Sequence, residues 1–191
     1  MKYLKKYQLF ETHINDFLMN LINSKINLIG FLETGGDINV LDEDGGTLLH
    51  LCVEYDKESI FELILNEPYY GKNKADINIR NKYNNSAFRN AFNFNMLEKL
   101  LKRDDLKLEL EDVCSIFEFA SKSLMYKTFI KAMENNIDWK RKINNRYFFE
   151  YYDIKLDGEQ YIDETIDMIS KKYPEVKRFY EKIKKSKEFN L

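Results

Sequence analysis

Apolar residues recur along most of this chain at intervals of three and four, the spacing of one helical face, rather than in the strict alternation of a strand. Residues 5–34 fit two helices, the second carrying Leu28, Ile29, Phe31 and Leu32 and ending before Gly35. LLHLCVEY followed by IFELIL, and AFRNAF followed by MLEKLL, predict two more helix pairs. DLKLELEDVCSIFEFASKSLMYKTFIKAMENNID predicts a fourth, closing near 134–138. Towards the end, Ile162, Ile166 and Ile169 share one helical face and Val176, Phe179, Tyr180 and Ile183 share another. Pro174 suits the first position of the last helix, where its missing N–H has no intrahelical partner to lose.

The two central helix pairs are preceded by stretches of the same shape. GGDINVLDEDGGTLLHLC, residues 35–52, is echoed by ADINIRNKYNNSAFRNAF, residues 75–92. Asp37-Ile38-Asn39 aligns with Asp76-Ile77-Asn78, and eight residues after each Asn stand the small hydroxyl residues Thr47 and Ser86. Between them Gly45 aligns with Asn84. Gly and Asn are the residue types that best tolerate left-handed backbone, so a tight turn is expected at both positions. A unit that repeats must bury its apolar face against a neighbour, so the weaker helix pairs on either side are needed by the clearer ones.

GGDINVLDEDGGTLLHLCVEYDKESIFELIL resembles the ankyrin repeat, a unit of about 33 residues built from a hairpin and two antiparallel helices. Asp42, Gly45, Thr47, Leu49 and His50 fall on that family's T-P-L-H frame, with Leu48 where Pro is usual. The resemblance implies that Thr47 caps the first helix and His50 braces it. The second copy departs further: Ser86, Ala87, Phe88 and Arg89 replace T-P-L-H, so no histidine braces it, and its helices are expected to be about two residues shorter. The spacing of the two copies leaves extra residues in the loop NEPYYGKNKAD, which has Tyr69 and Tyr70 at its tip. These rings are either a contact surface or a cover for a helix end.

Composition narrows the reading. A hydrophobic share of 44% with 15% aromatics is too high for a disordered chain. Seven Gly and two Pro are too few for the many tight turns of a β-sandwich or barrel. The net charge of −2 is unevenly distributed: residues 140–191 carry 13 basic and 10 acidic residues, and residues 1–139 carry 17 and 22. The mildly acidic repeat region argues against nucleic acid as the main ligand and for a partner with basic character. Asn, Lys and Ile are abundant throughout, a bias that AT-rich coding produces, and they receive no functional weight on that account. No run of 18 apolar residues supports a membrane span, and the basic opening MKYLKKYQLF is followed by Glu11, Asp16, Asn20 and Asn23, which break any signal-peptide core.

Candidate chemistry is sparse. Cys52 and Cys114 lie 62 residues apart, without the close pairing of a zinc or thiol-redox site, and read as core thiols in a reducing cytosol. Of the two histidines, His50 belongs to the repeat and His13 stands alone near Glu11 and Asp16. No phosphate-loop, dinucleotide, nucleophile-elbow or zinc-protease motif is present. Asp138 followed by Asp153-Ile154-Lys155 has the residue types of a Mg²⁺-dependent nuclease, but that chemistry needs adjacent strands that the helical periods do not supply. The lysine-rich segment 171–187 reads as the solvated face of an amphipathic helix. The aromatic stretch after Trp139 serves either to pack a C-terminal cap or to bind.

The sequence therefore predicts an all-α fold: a short ankyrin-like stack over 1–139, with clear repeats at about 36–74 and 75–104, and a helical cap over 140–191. The expected function is binding of another protein in the cytoplasm, for example as an immunity protein that neutralises a toxin domain. A nuclease, or a secreted ankyrin effector, is the alternative. No cofactor, metal, nucleic acid or membrane partner is expected, nor enzymatic activity, and the free chain should be a monomer. The resemblance implies that binding uses the hairpin tips and the exposed side of the first helices. In the first repeat these are Leu41, Glu43, Asp44, Glu54 and Tyr55; in the second, Arg80, Lys82, Tyr83, Asn85, Asn93 and Phe94.

Overall fold

The computed structural model describes residues 14–66, 74–117, 121–143, 146–147 and 159–188, most of them helical. The chain divides into two compact units, Met1–Leu100 and Leu101–Leu191.

In the first unit, α1 (Ile14–Asn23) and α2 (Lys25–Glu33) are separated by Ser24 alone. Ser24 is extended, with φ −142° and ψ 109°, and its hydroxyl accepts from the Asn27 N–H, so one residue both ends a helix and caps the next. Then come α3 (Leu48–Glu54), α4 (Glu58–Asn66), α5 (Ala87–Asn90) and α6 (Phe94–Leu101). α3 packs against α1, α4 and α5. That enclosure explains its sequence: every residue from Leu48 to Val53 is buried, as in a helix apolar all round. α5 has only four residues against seven in α3, because Ala91 already has extended backbone with ψ 118°.

The loops entering α3 and α5 are built alike. The Asp37 carboxylate accepts from the Asn39 N–H, as Asp76 does from the Asn78 N–H, both at 2.9 Å. Single antiparallel bridges, Leu41 to Thr47 and Arg80 to Ser86, then close two tips. Inside the first tip Asp42 Oδ1 accepts from the N–H groups of Asp44 and Gly46, at 2.8 and 2.7 Å. Inside the second, Asn81 Oδ1 accepts from Tyr83 and Asn85, both at 3.0 Å. An Asp and an Asn do the same work because the turn uses only the one side-chain oxygen they share. Gly45 and Asn84 hold left-handed backbone, with φ 74° and 59°.

In the second unit, α7 (Leu110–Phe117) and α8 (Lys122–Glu134) pack together, α8 packs on α9 (Glu159–Ser170), and α9 packs on α10 (Pro174–Glu188). Buried Asp112 turns back to accept from the Glu109 N–H at 2.7 Å, satisfying a donor that α7 leaves unpaired at its start. β1 (Lys142–Ile143) and β2 (Arg146–Tyr147) form a minimal antiparallel pair, so among the described residues extended pairing is limited to this and the two tip bridges. Trp139 is buried and meets Phe179 edge-on, with ring centroids 5.0 Å apart.

Left-handed backbone at two aligned positions has a direct consequence. A Cβ at Gly45 meets nothing closer than the Lys82 amide at 3.5 Å, so the cost of a side chain there is conformational rather than steric crowding. Gly45→Val is expected to destabilise the protein by about 1–3 kcal/mol, whereas Asn84→Gly should change stability by no more than about 0.5 kcal/mol. Urea unfolding of both variants checks this, and a neutral Gly45→Val would contradict the shared turn.

Candidate functional site

The two tips of the first unit touch, and a series of hydrogen bonds holds them in register. The Lys82 N–H donates to the Asp44 carbonyl at 2.7 Å, and the Lys82 ammonium pairs with the Asp44 carboxylate. Asn39 donates from its amide nitrogen to the Lys74 carbonyl at 3.1 Å and accepts from the Asp76 N–H at 2.7 Å. Farther along, Asn93 Nδ2 donates to Asp56 Oδ1 at 2.8 Å, and Lys99 pairs with Glu62 and, at 3.1 Å, with Glu58. These pairs are separated by 35 to 41 residues, so each joins a position in one loop–helix–helix segment to its counterpart region in the next.

His50 is the buried member of this series. Its Nδ1 accepts from the Thr47 N–H at 3.1 Å, and its Nε2 lies 3.0 Å from the Asn85 carbonyl of the next tip. The Thr47 N–H can only donate and the Asn85 oxygen can only accept, so the ring that satisfies both is neutral with its proton on Nε2. Burial lowers the His50 pKa below its ordinary 6.5, outweighing the Asn85 carbonyl and the Asp42 charge, which favour protonation. The second tip has no such ring, and Ser86 caps α5 directly by accepting from the Arg89 N–H at 3.2 Å.

The residues expected to bind a partner separate into two groups. Leu41, Glu43, Asp44, Arg80, Lys82, Tyr83 and Asn85 lie on the two tips, at the start of α3 and α5. Glu54 closes α3, Tyr55 follows it, and Asn93 and Phe94 come after α5, so the seven residues of α3 set the two groups about 10 Å apart along its axis. Leu41, Glu43, Glu54, Tyr55, Tyr83 and Phe94 present exposed side chains. Asp44, Arg80, Lys82, Asn85 and Asn93 also hold the loops together, since Arg80 donates to the Asn84 carbonyl at 3.0 Å and Asn93 Oδ1 accepts from the Asn95 N–H at 2.9 Å to start α6. Tyr83 is 62% exposed, with the Lys82 ammonium 5.0 Å from its ring centre. Phe92, at 72% exposed, is a surface aromatic that the helical pattern did not single out. Its signal was present in AFNFN, where Phe92 and Phe94 stand two apart, a spacing one helical face cannot bury together.

The acid proposed to begin a nuclease motif has a structural use. Asp138 accepts from the Lys140 N–H at 3.1 Å, and its carbonyl from the Arg141 N–H at 3.0 Å, the same turn that Asp37 makes with Asn39 and Val40. Its neighbour Trp139 is buried like Ile38 and Ile77, which follow the other two turn aspartates. Asp153, Lys155, His13, Tyr69 and Tyr70 lie outside the described residues.

Other chemistry is limited among the described residues. No cluster of three His, Cys, Asp or Glu side chains is placed to hold a metal ion. Cys52 is buried, and burial pushes its thiol up to about 12, far from the range of a nucleophile. Cys114 is half-buried and forms no disulfide. A gap of about 10 Å³ lined by Leu110, Val113, Phe129, Ala132, Met133, Ile137 and Trp139 has room for no more than a water molecule. In α10, Lys177 pairs with Asp167 and Lys184 with Asp163, while Lys172 before it pairs with Glu134. No helix among the described residues is long and apolar enough to cross a membrane. Comparison with family models, curated proteins and solved structures found no match.

Protonation of His50 is coupled to stability with a definite sign. The folded pKa lies below the unfolded one, so the contribution is complete above about pH 6.5 and is lost as pH falls through the lowered folded value. The melting temperature of the wild type should therefore fall more steeply between about pH 7 and pH 5 than that of His50→Gln. Parallel curves would show that His50 does not bridge the tips as a neutral ring.

Proposed function

We propose that the first unit is an ankyrin-type repeat stack that binds a folded protein through its tips. The observation that carries this reading is the exposure of Leu41 and Tyr83, at 48% and 62%, on loops whose backbones are fixed by hydrogen bonds. A large apolar side chain on a rigid support loses little conformational freedom on binding, and tyrosine is among the residues that most often carry interface energy.

The charges around these side chains favour a protein over a polyanion. Glu43 is exposed, Asp44 and Lys82 neutralise one another, and Arg80 is turned back onto its own tip. That leaves an apolar centre with a weakly charged, mixed rim, which suits a partner of mixed charge. The protein acts in the cytoplasm as a monomer and requires no cofactor. Neutralising a toxin domain is the role we favour, because it asks of the protein only a surface that covers its partner.

Tyr83→Ala tests the reading. It should weaken binding to the partner by about 2 kcal/mol or more while moving the melting temperature little, since the ring is mostly in solvent. Lys82→Ala should lower the association rate only modestly, because the ammonium it removes is already paired with Asp44. Calorimetric titration with the affinity-captured partner measures the first, and surface plasmon resonance at two salt concentrations measures the second. Unchanged affinity in Tyr83→Ala, with a lowered melting temperature, would mean that the ring serves stability alone.

A further inference from the structure

At the end of the first unit's short helices remote from the tips, two loops meet. Asn93 donates to Asp56 across them at 2.8 Å, and its side-chain oxygen starts α6 by accepting from the Asn95 N–H at 2.9 Å, so both loops are fixed by one residue. Around that link stand Tyr55, Phe92 and Phe94, at 47%, 72% and 49% exposed. Three large rings so placed on two joined loops form a local apolar patch, and such patches mark interaction sites. The exposed charges beside it are Glu54 and Asp56. Cations on the adjoining elements add little: Lys57 and Arg89, the latter in the last turn of α5, are half-buried, and Lys99 is paired with Glu58 and Glu62.

This combination selects among occupants. Anionic lipid and nucleic acid offer apolar or stacking contacts but would meet Glu54 and Asp56 with like charge. A second copy of this chain, related by a two-fold axis, would set the same two carboxylates against each other. A segment with an apolar face flanked by lysine or arginine satisfies both the rings and the acids. We propose that Tyr55, Phe92 and Phe94 form a second docking surface, separate from the tips, for a basic amphipathic segment of a protein partner. The proposal extends the protein-binding reading given above but uses a different face.

The test is fluorescence anisotropy with a labelled 18-residue amphipathic peptide of Leu and Lys, beside the same peptide with Glu for Lys. The wild type should bind the Lys peptide, bind the Glu peptide at least tenfold more weakly, and lose affinity for the Lys peptide as salt is raised. Phe92→Ser with Phe94→Ser should weaken Lys-peptide binding at least tenfold, with the fold monitored by circular dichroism. If that variant unfolds, Glu54→Lys, at an exposed position, should still weaken binding severalfold. Tyr83→Ala should leave peptide affinity unchanged. Equal affinity for the two peptides, full binding in the Phe or Glu54 variants, or loss in Tyr83→Ala would overturn the second surface. Loss of the natural partner in Tyr83→Ala alongside any of these results would leave the tip reading standing, which keeps the two failures distinguishable.

Discussion

Asn39 grips the next loop with both ends of its amide, donating to the Lys74 carbonyl and accepting from the Asp76 N–H. The arrangement of the first unit depends on this kind of bond, in which a side chain of one loop satisfies backbone groups of the loop that follows. The helices involved are too short to stand alone: seven residues in α3 and four in α5 lie well below the length at which an isolated helix persists in water. Burial supplies the attraction between them but does not choose a register. The loop bonds do, and with a net value of about 1 kcal/mol each they contribute as a set rather than singly.

The same bonds determine what is left for function. Side chains such as Asn39, Asp42, Asn81, His50 and Asn93 are committed to backbone partners. Leu41 and Tyr83 at one end, and Tyr55, Phe92 and Phe94 at the other, are exposed large side chains on loops that are themselves fixed. His50 links the two roles, because its buried ring ties the start of α3 to the carbonyl of Asn85 in the second tip.

Much of this was legible in the chain. The Asp-Ile-Asn match located two turns, the alignment of Gly45 with Asn84 located their left-handed residues, and the apolar spacing found the helix pairs. Three things were hidden. The repeat match marked Asn39 and the resemblance marked Asn93 for binding, but that each bridges two loops was not readable, because it depends on contacts made more than 30 residues away. Asp138 makes a turn like that of Asp37, but Trp139 replaces the isoleucine and the spacing from Asp76 is 62 residues rather than 39, so alignment gave no cue. The pairing of Lys172, Lys177 and Lys184 with acids outside α10 could not be assigned partner by partner from a one-dimensional pattern.

If loop-to-loop bonds set the register, amides that lie near the surface should exchange as slowly as those of the buried helix they border. Amide hydrogen exchange followed by NMR reads this residue by residue. The Asp76 and Lys82 N–H groups, bonded to Asn39 Oδ1 and the Asp44 carbonyl, are expected to show protection close to that of α3, and Asn39→Ala should strip it from both together. Exchange at Asp76 and Lys82 at rates typical of open loops, with α3 still protected, would contradict the account.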